Sequence, residues 1–292
     1  MCNLRSANWR KHFMGRLVLF AATLPILAFI YLPIAWLVAS STSSRVELSA
    51  VPPHWIPQNP SLQNYVDILF PGDQASSTAK TYKVTLQNSL IVATSVTAIS
   101  LVAGSLAAYA LARIQFRFRR TILIGILATR MIPEVSLVIP LYVLASQIGI
   151  LNTPTVLIFT YLSFALPFAI WLMAAFFETI PAELEDAARI DGCSRIGTLF
   201  KIIMPISAPG LVSTGLFVFL TAWDEFFFAL IFTSTIAAKT VPVAIAEFTG
   251  RYVVDITGMM TGGVLAALPP VIMALAFQRY IVRGLTAGAV KG

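Results

Sequence analysis

Apolar and polar positions alternate along this chain on the scale of whole helices rather than single turns. A helix needs about 20 apolar residues to cross a hydrocarbon core. Six stretches qualify: residues 16–40, 87–112, 121–145, 153–177, 208–234 and 259–281. The polar segments between them differ greatly in length. Residues 41–86 are long and rich in Pro, Ser and Thr, and include Val51-Pro52-Pro53-His54-Trp55-Ile56-Pro57. Residues 113–120 and 146–152 are tight turns, the first of them basic. Residues 178–207 are too long for a turn and carry a pattern of their own. The expected fold class is all-α, a polytopic membrane protein of six transmembrane helices. Its expected divisions are a short terminus over 1–15, a six-span domain over 16–281 and a tail over 282–292.

Arg10, Lys11 and Arg16 precede the first apolar run as they would in a secretory signal. That run exceeds the apolar core of a signal, and five more spans follow, so a retained signal anchor is expected.

Composition agrees with the pattern. Of 292 residues, 58% are hydrophobic and only 11% charged, with a mean hydropathy of +0.82. Soluble domains carry about 25% charged residues, so most of this surface is expected to meet lipid. The net charge of +7 comes without a basic stripe interleaved with aromatics, which argues against nucleic acid. Basic residues instead mark one side of the membrane. Arg5, Arg10, Lys11 and Arg16 fall there, with Arg113, Arg117, Arg119 and Arg120. Arg189, Arg195, Lys201, Arg279, Arg283 and Lys291 complete the set, fourteen of the 20 Lys and Arg residues. The other side holds Arg45, Lys80, Lys83, Lys239 and Arg251, and Arg130 lies inside a span. Both termini are therefore expected to be cytoplasmic. Cys2 and Cys193 make no disulfide framework or metal-ligand spacing. His12 and His54 lie outside the spans, which removes most zinc and Ser-His-Asp chemistry; no metal site is expected.

Residues 178–207 read as helix, turn, helix, stop. Pro181 suits a first helical turn, where Glu183, Glu185 and Asp186 complement the helix dipole. Gly192 can take the left-handed conformation that closes a helix, and Ser194 can cap the next. Pro205 is expected to end that second helix. Leu184, Ala187, Ala188 and Asp191 share one face at i, i+3, i+4, i+7 spacing, with two alanines low enough for another protein surface to approach.

On these residues the chain resembles a known family. Asp186-Ala187-Ala188, three residues, Gly192, nine residues and Ile202-x-Met204-Pro205 resemble the EAA loop of ABC-importer permeases, with Asp186 where glutamate is usual and Met204 where leucine is commoner. Pro60-Ser61-Leu62-x-Asn64-Tyr65, Asn88-Ser89-Leu90, the run from Ala108 to Arg113 and Trp223-Asp224-Glu225-Phe226 are similar to the maltose-type carbohydrate class. So is the ending from Gln278 to Gly292. The resemblance implies the type I ABC-importer permease fold, in a bacterial inner membrane. It implies four kinds of protein or solute partner: a second homologous permease, an ATPase dimer, an extracytoplasmic solute-binding protein and a sugar or polyol. The loop would be the coupling helix, with Glu185, Asp186, Ala187, Ala188, Arg189, Asp191, Gly192 and Pro205 serving the ATPase contact. The tail residues Thr286, Gly288 and Lys291 would reach the ATPase as well. No Gly-x-x-x-x-Gly-Lys-Ser/Thr loop is present, so ATP and Mg are expected to be used by the partner and no cofactor bound by this chain, which is not expected to be an enzyme.

Charges inside the spans mark a candidate substrate path. Arg130 lies about 15 Å into span three at 1.5 Å per residue, and in lipid it would cost roughly 2.5–3.5 kcal/mol on insertion scales. Glu134, four residues on, is placed to pair with it. Asp224 and Glu225 sit beside Trp223 in span five. One reading is a polar cavity in which Trp223 stacks on a sugar and the carboxylates accept its hydroxyls. The other is a structural ion pair or a contact with the partner permease. Gly104, Ala108 and Ala112, and Gly258 with Gly262, have the small-xxx-small spacing of close helix packing. A secondary transporter would need internal repeats, and none relates 16–145 to 153–281. An intramembrane hydrolase would need motifs such as Gly-x-Ser-x-Gly or His-Glu-x-x-His, which are missing.

Overall fold

The computed structural model describes residues 4–52, 54–72, 77–249 and 254–289, and its regular elements are helices. In chain order they are α1 (Leu4–Thr42), α2 (Arg45–Leu48), α3 (Gln63–Leu69), α4 (Ser77–Arg113), α5 (Arg119–Ala128), α6 (Glu134–Gln147) and α7 (Pro154–Glu178). They continue with α8 (Glu183–Ile190), α9 (Arg195–Thr198), α10 (Met204–Ile206), α11 (Ala208–Trp223), α12 (Phe227–Phe232), α13 (Val241–Glu247) and α14 (Ile256–Ala289). Among the described residues, four helical stretches are long and apolar enough to span a membrane unbroken: Leu19–Thr42, Ala79–Arg113, Pro154–Glu178 and Ile256–Tyr280. Two bent pairs bring the number to six if each pair is one span. The chain divides into two compact units, residues 1–75 with 248–265 and residues 76–247 with 266–292.

In the first unit, the most apolar window of Leu19–Thr42 has no residue buried among the described residues. The C-terminal end of α1 is fixed by polar contacts. The Asn64 amide donates to the carbonyls of Ser41 (2.8 Å) and Ser43 (3.1 Å), and the Ser41 and Tyr65 hydroxyls meet at 2.6 Å. Thr261 at the start of α14 donates to the same Ser41 carbonyl at 3.2 Å. Ser44 and Glu47 form a reciprocal capping box around α2. The Glu47 carboxylate also accepts the Gln58 backbone N–H at 2.6 Å, and these donors hold its pKa below the usual carboxylate value. The Pro60–Tyr65 motif thus serves to tie the loop after α1 to its end.

In the second unit, α4, α7 and α11 form the core, with Tyr161, Ala169, Val96, Val218 and Trp223 among the buried residues that fill it. Close approach is supplied by small residues, as the spacing on α4 predicts. A Cβ on Gly104 would stand 3.5 Å from the Ala169 Cβ and 3.7 Å from the Met173 sulfur, and Ala108 and Ala112 are buried. α4 begins ten residues before its expected start at residue 87, because Ala79 and Tyr82 find buried positions and keep the helix going. The Asn88-Ser89 pair then pins the segment after α12 to α4. Asn88 donates to the carbonyls of Ile236 and Lys239, both at 3.0 Å, and Ser89 accepts from the Val241 N–H at 2.8 Å.

Two expected spans are not straight helices. Span three breaks after the 3-10 turn Thr129–Met131, and α6 leaves at 92° to α5. Pro133 is the cause, since it pushes Ile132 into the extended conformation (φ −73°, ψ 123°) and cannot donate back to the preceding turn. Span five ends as a helix at Trp223 and restarts at Phe227, where the Glu225 carboxylate accepts the N–H groups of Phe228 (2.8 Å) and Ala229 (3.2 Å). Asn152, at φ 58°, ties the turn before α7 to the segment after α12, its Oδ1 accepting from Ser234 and Thr235 at 2.9 Å each.

Candidate functional site

The segment between α7 and α11 folds as its sequence directs. α8 begins after Pro181, with Glu183, Glu185 and Asp186 in its first turn. It closes on Gly192 at φ +84°, where the Gly192 N–H bonds to the Arg189 carbonyl (3.1 Å) and the Cys193 N–H to the Ala188 carbonyl (2.9 Å). That pair of bonds is a Schellman closure, and the left-handed residue it requires is the glycine the sequence provides. Ser194 caps α9, accepting from the Gly197 N–H at 3.1 Å. The two short helices are therefore held at an angle that the Gly192 turn sets.

The same segment is seated on the ends of α4 and α7. Ile180, Leu199 and Ile203 are buried against Ala108, Tyr109, Ala112, Met173, Ala174 and Phe177. Polar contacts reinforce this seat. Arg113, the last residue of α4, donates from Nη2 to the Ile180 carbonyl at 2.5 Å, and its Nε stands 3.9 Å from Glu185 Oε1. The Tyr109 hydroxyl lies beside Glu185. At the rim, Arg119 pairs with Glu178 at 3.7 Å, an exposed contact of small energetic weight.

The structure divides the expected coupling residues between two faces. Glu185 is largely buried, facing Arg113 at the end of α4, and Ala188 is buried. Asp186, Ala187, Arg189 and Asp191 are exposed on the free side. Leu184, Ile190, Ile196 and Phe200 add apolar surface there, with Ile190 at 85% exposure. The expected common face of Leu184, Ala187, Ala188 and Asp191 is thus corrected: Ala188 turns inward with Glu185, three residues before it on the helix. Pro205 does not end the second helix by itself. The path runs from α9 through a π-turn at Leu199–Ile203 into α10, and it bends by 84° at Ser207. A widened turn is the form a helix takes where a proline withholds its donor. Thr286 and Gly288 fall in the last turns of α14, and Lys291 lies outside the described residues.

The charges inside the spans are arranged otherwise than expected. The break at Pro133 removes the helical register that would put Glu134 over Arg130, and no ion pair joins them among the described residues. Arg130 instead donates to the Phe164 carbonyl at 3.1 Å and lies 5.6 Å above the Phe168 ring. Glu134 opens α6, at the end of the dipole that favours a carboxylate. Trp223 is 3% exposed, stacks on Phe219 and donates its indole N–H to the Ala266 carbonyl at 3.2 Å. It is a core residue here, and its ring face is not open to a sugar. Glu225 caps α12, and the Tyr161 hydroxyl lies beside it. Asp224 alone of the carboxylates in this stretch remains exposed, on one α11 face with Phe217 and Thr221 at i, i+4, i+7 spacing. Among the described residues, no cluster of three His, Cys, Asp or Glu could hold a metal.

Comparisons with known proteins concern the chain as a whole. A family model described as the inner membrane component of binding-protein-dependent transport systems matches residues 100–287. The chain is 39% identical over 284 residues to the trehalose/maltose transport system permease protein MalG of Thermococcus litoralis, spanning 97% of this chain and 99% of that one. It is 38% identical over 287 residues to the sulfoquinovosyl glycerol transport system permease protein SmoH of Agrobacterium fabrum, covering 98% of each. Among solved structures, a bacterial ABC transporter involved in the import of the acidic polysaccharide alginate matches with a TM-score of 0.77 at 20% identity, covering 93% of this chain and 98% of that one.

Proposed function

The chain belongs to the inner membrane components of binding-protein-dependent transport systems, and from that premise we propose that it carries a carbohydrate or polyol across a bacterial inner membrane. It is a permease subunit of an ATP-binding-cassette importer with the type I fold, and hydrolysis of ATP is the work of a separate ATPase. It works with a second permease, an ATPase pair and a solute-binding protein. The observation that carries the mechanism is the closed hairpin at 183–206. Its turns are closed by hydrogen bonds, it is seated on α4 and α7, and it presents a free face with Asp186 and exposed apolar side chains. A closed element seated at one end and open at the other is what force from a moving ATPase requires.

The basic residues favour placing this hairpin and both termini in the cytoplasm and residues 41–86 outside. Within the membrane, the exposed Arg130 and Asp224 need protein or water rather than lipid about them, which favours a path or a subunit interface at that depth. Nucleotide and Mg are assigned to the ATPase alone.

The test is reconstitution of the chain in liposomes with its permease partner, ATPase and binding protein, followed by uptake of labelled sugars, polyols and amino acids. ATP-dependent uptake confined to sugars or polyols is expected, with neither hydrolysis nor uptake by the chain alone. Uptake by the lone chain on an ion gradient, or uptake of amino acids only, would contradict the proposal.

A further inference from the structure

Glu185 and Asp186 are neighbours in sequence, yet the helix sends them to opposite sides of the hairpin. Asp186 is exposed, whereas Glu185 reaches inward to Arg113, with side-chain exposures of 16% and 11% for that pair. The geometry points to a division of labour: Asp186 belongs to the motor side, and the Arg113–Glu185 pair is the contact through which the hairpin moves α4. This inference rests on the reading of residues 183–206 as the coupling element.

Three observations support it. First, Arg113 holds both ends of the approach to α8, because its Nη2 binds the Ile180 carbonyl while its Nε faces Glu185. A displacement of α8 therefore acts on the last residue of α4 directly. Second, the apolar seat around Ile180, Leu199 and Ile203 already buries the hairpin. A buried ion pair is weak evidence for stability, and an apolar pair of the same volume would seat the loop as well. Its distinguishing property is direction, since a planar guanidinium fixes the line along which a carboxylate can approach. Third, the pair is incompletely closed. At 3.9 Å neither Arg113 Nε nor Glu185 Oε1 has a hydrogen-bond partner, so a shift of about 1 Å would complete a charge-assisted bond. Tyr109, one turn earlier on α4, stands beside the same carboxylate and can take it up as the hairpin moves. Arg113 is a positioning residue in this scheme.

The assembled importer tests it in proteoliposomes. Arg113→Gln, Glu185→Gln and the exchanged pair Arg113→Glu/Glu185→Arg would be compared with Asp186→Lys for ATPase co-purification and for solute transported per ATP hydrolysed. The Gln variants are expected to retain the ATPase but to transport roughly tenfold less solute per ATP, the lower end of the loss typical of a charged hydrogen bond. The exchanged pair should recover several-fold of that loss, a result that a purely structural seat would not give. Should a Gln variant fail to accumulate in the membrane, Arg113→Lys keeps the charge without the planar fork and should show the same fall in transport per ATP. An unaltered ratio in these variants while Asp186→Lys is inactive would overturn this inference and leave the coupling reading standing. Loss of the ATPase from the Glu185 variants would also overturn it, by placing that carboxylate in the motor contact. Normal transport by Asp186→Lys would instead remove the coupling reading itself.

Discussion

The basic-side hairpin and the middle of the spans treat charge in opposite ways. In the hairpin, the turns and caps are made by residues within a few positions of one another: Gly192 closes α8, Ser194 caps α9, and the acidic first turn meets its own helix dipole, whereas Glu185 reaches a distant partner, Arg113. In the spans, Arg130 finds the Phe164 carbonyl 34 residues away, and the Trp223 indole reaches Ala266 across 43 residues. Local partners can be inferred from spacing, but distant ones depend on where helices break and cross. The turns and caps of the hairpin are thus set by its own sequence, and its seat on α4 by tertiary packing. The mid-span charges derive their roles from tertiary packing.

Substitutions can sharpen that contrast. The largest effect is expected in the hairpin. Asp186→Lys reverses the charge that the free face offers the motor and should lower uptake roughly 10- to 100-fold, matching a lost charged contact. Gly192→Val forces a β-branched residue to φ +84°, where non-glycine residues lose about 1–2 kcal/mol, and should lower uptake by less. Both should accumulate normally beside a control such as Val51→Ala, which lies at a 96% exposed loop position. Poor accumulation of both would show that the hairpin is needed for folding instead.

Core substitutions should act on stability and spare coupling. Gly104→Leu drives a large side chain into Ala169 and Met173 and should destabilise the α4–α7 contact by about 1–3 kcal/mol. Folded abundance should fall, and whatever protein remains should transport normally per molecule. The smallest effect is expected for Trp223→Phe, which removes one hydrogen bond worth about 1 kcal/mol. The unfolding temperature should drop slightly while the relative uptake of different solutes stays constant. A changed order of preference among solutes would return Trp223 to the substrate path.

The sequence made the helical membrane fold legible because apolar runs of span length are long-range averages. It also made the Gly192 turn and the Ser194 cap legible, since these are contacts within a few residues. That Pro133 interrupts span three as a kink is legible in the sequence, but its 92° angle is not, for a proline inside an apolar run is compatible with a mild kink or with a break. Taking the run as one helix gave the false register between Arg130 and Glu134. The inward turn of Glu185 was missed because Arg113 lies 72 positions away. One signal for it was present: Ala188, apolar and one turn after Glu185, marks the same helix face for burial.

The central claim is that the free face of residues 183–196 meets the motor. A photo-crosslinking residue placed singly at Leu184, Ala187, Ile190 or Ala188 in the assembled importer tests it most directly. The first three are exposed and should capture the ATPase, whereas Ala188, at 4% exposure, should yield only crosslinks within this chain. Capture of the ATPase from position 188 but not from 187 or 190, or from none of the four, would contradict the account.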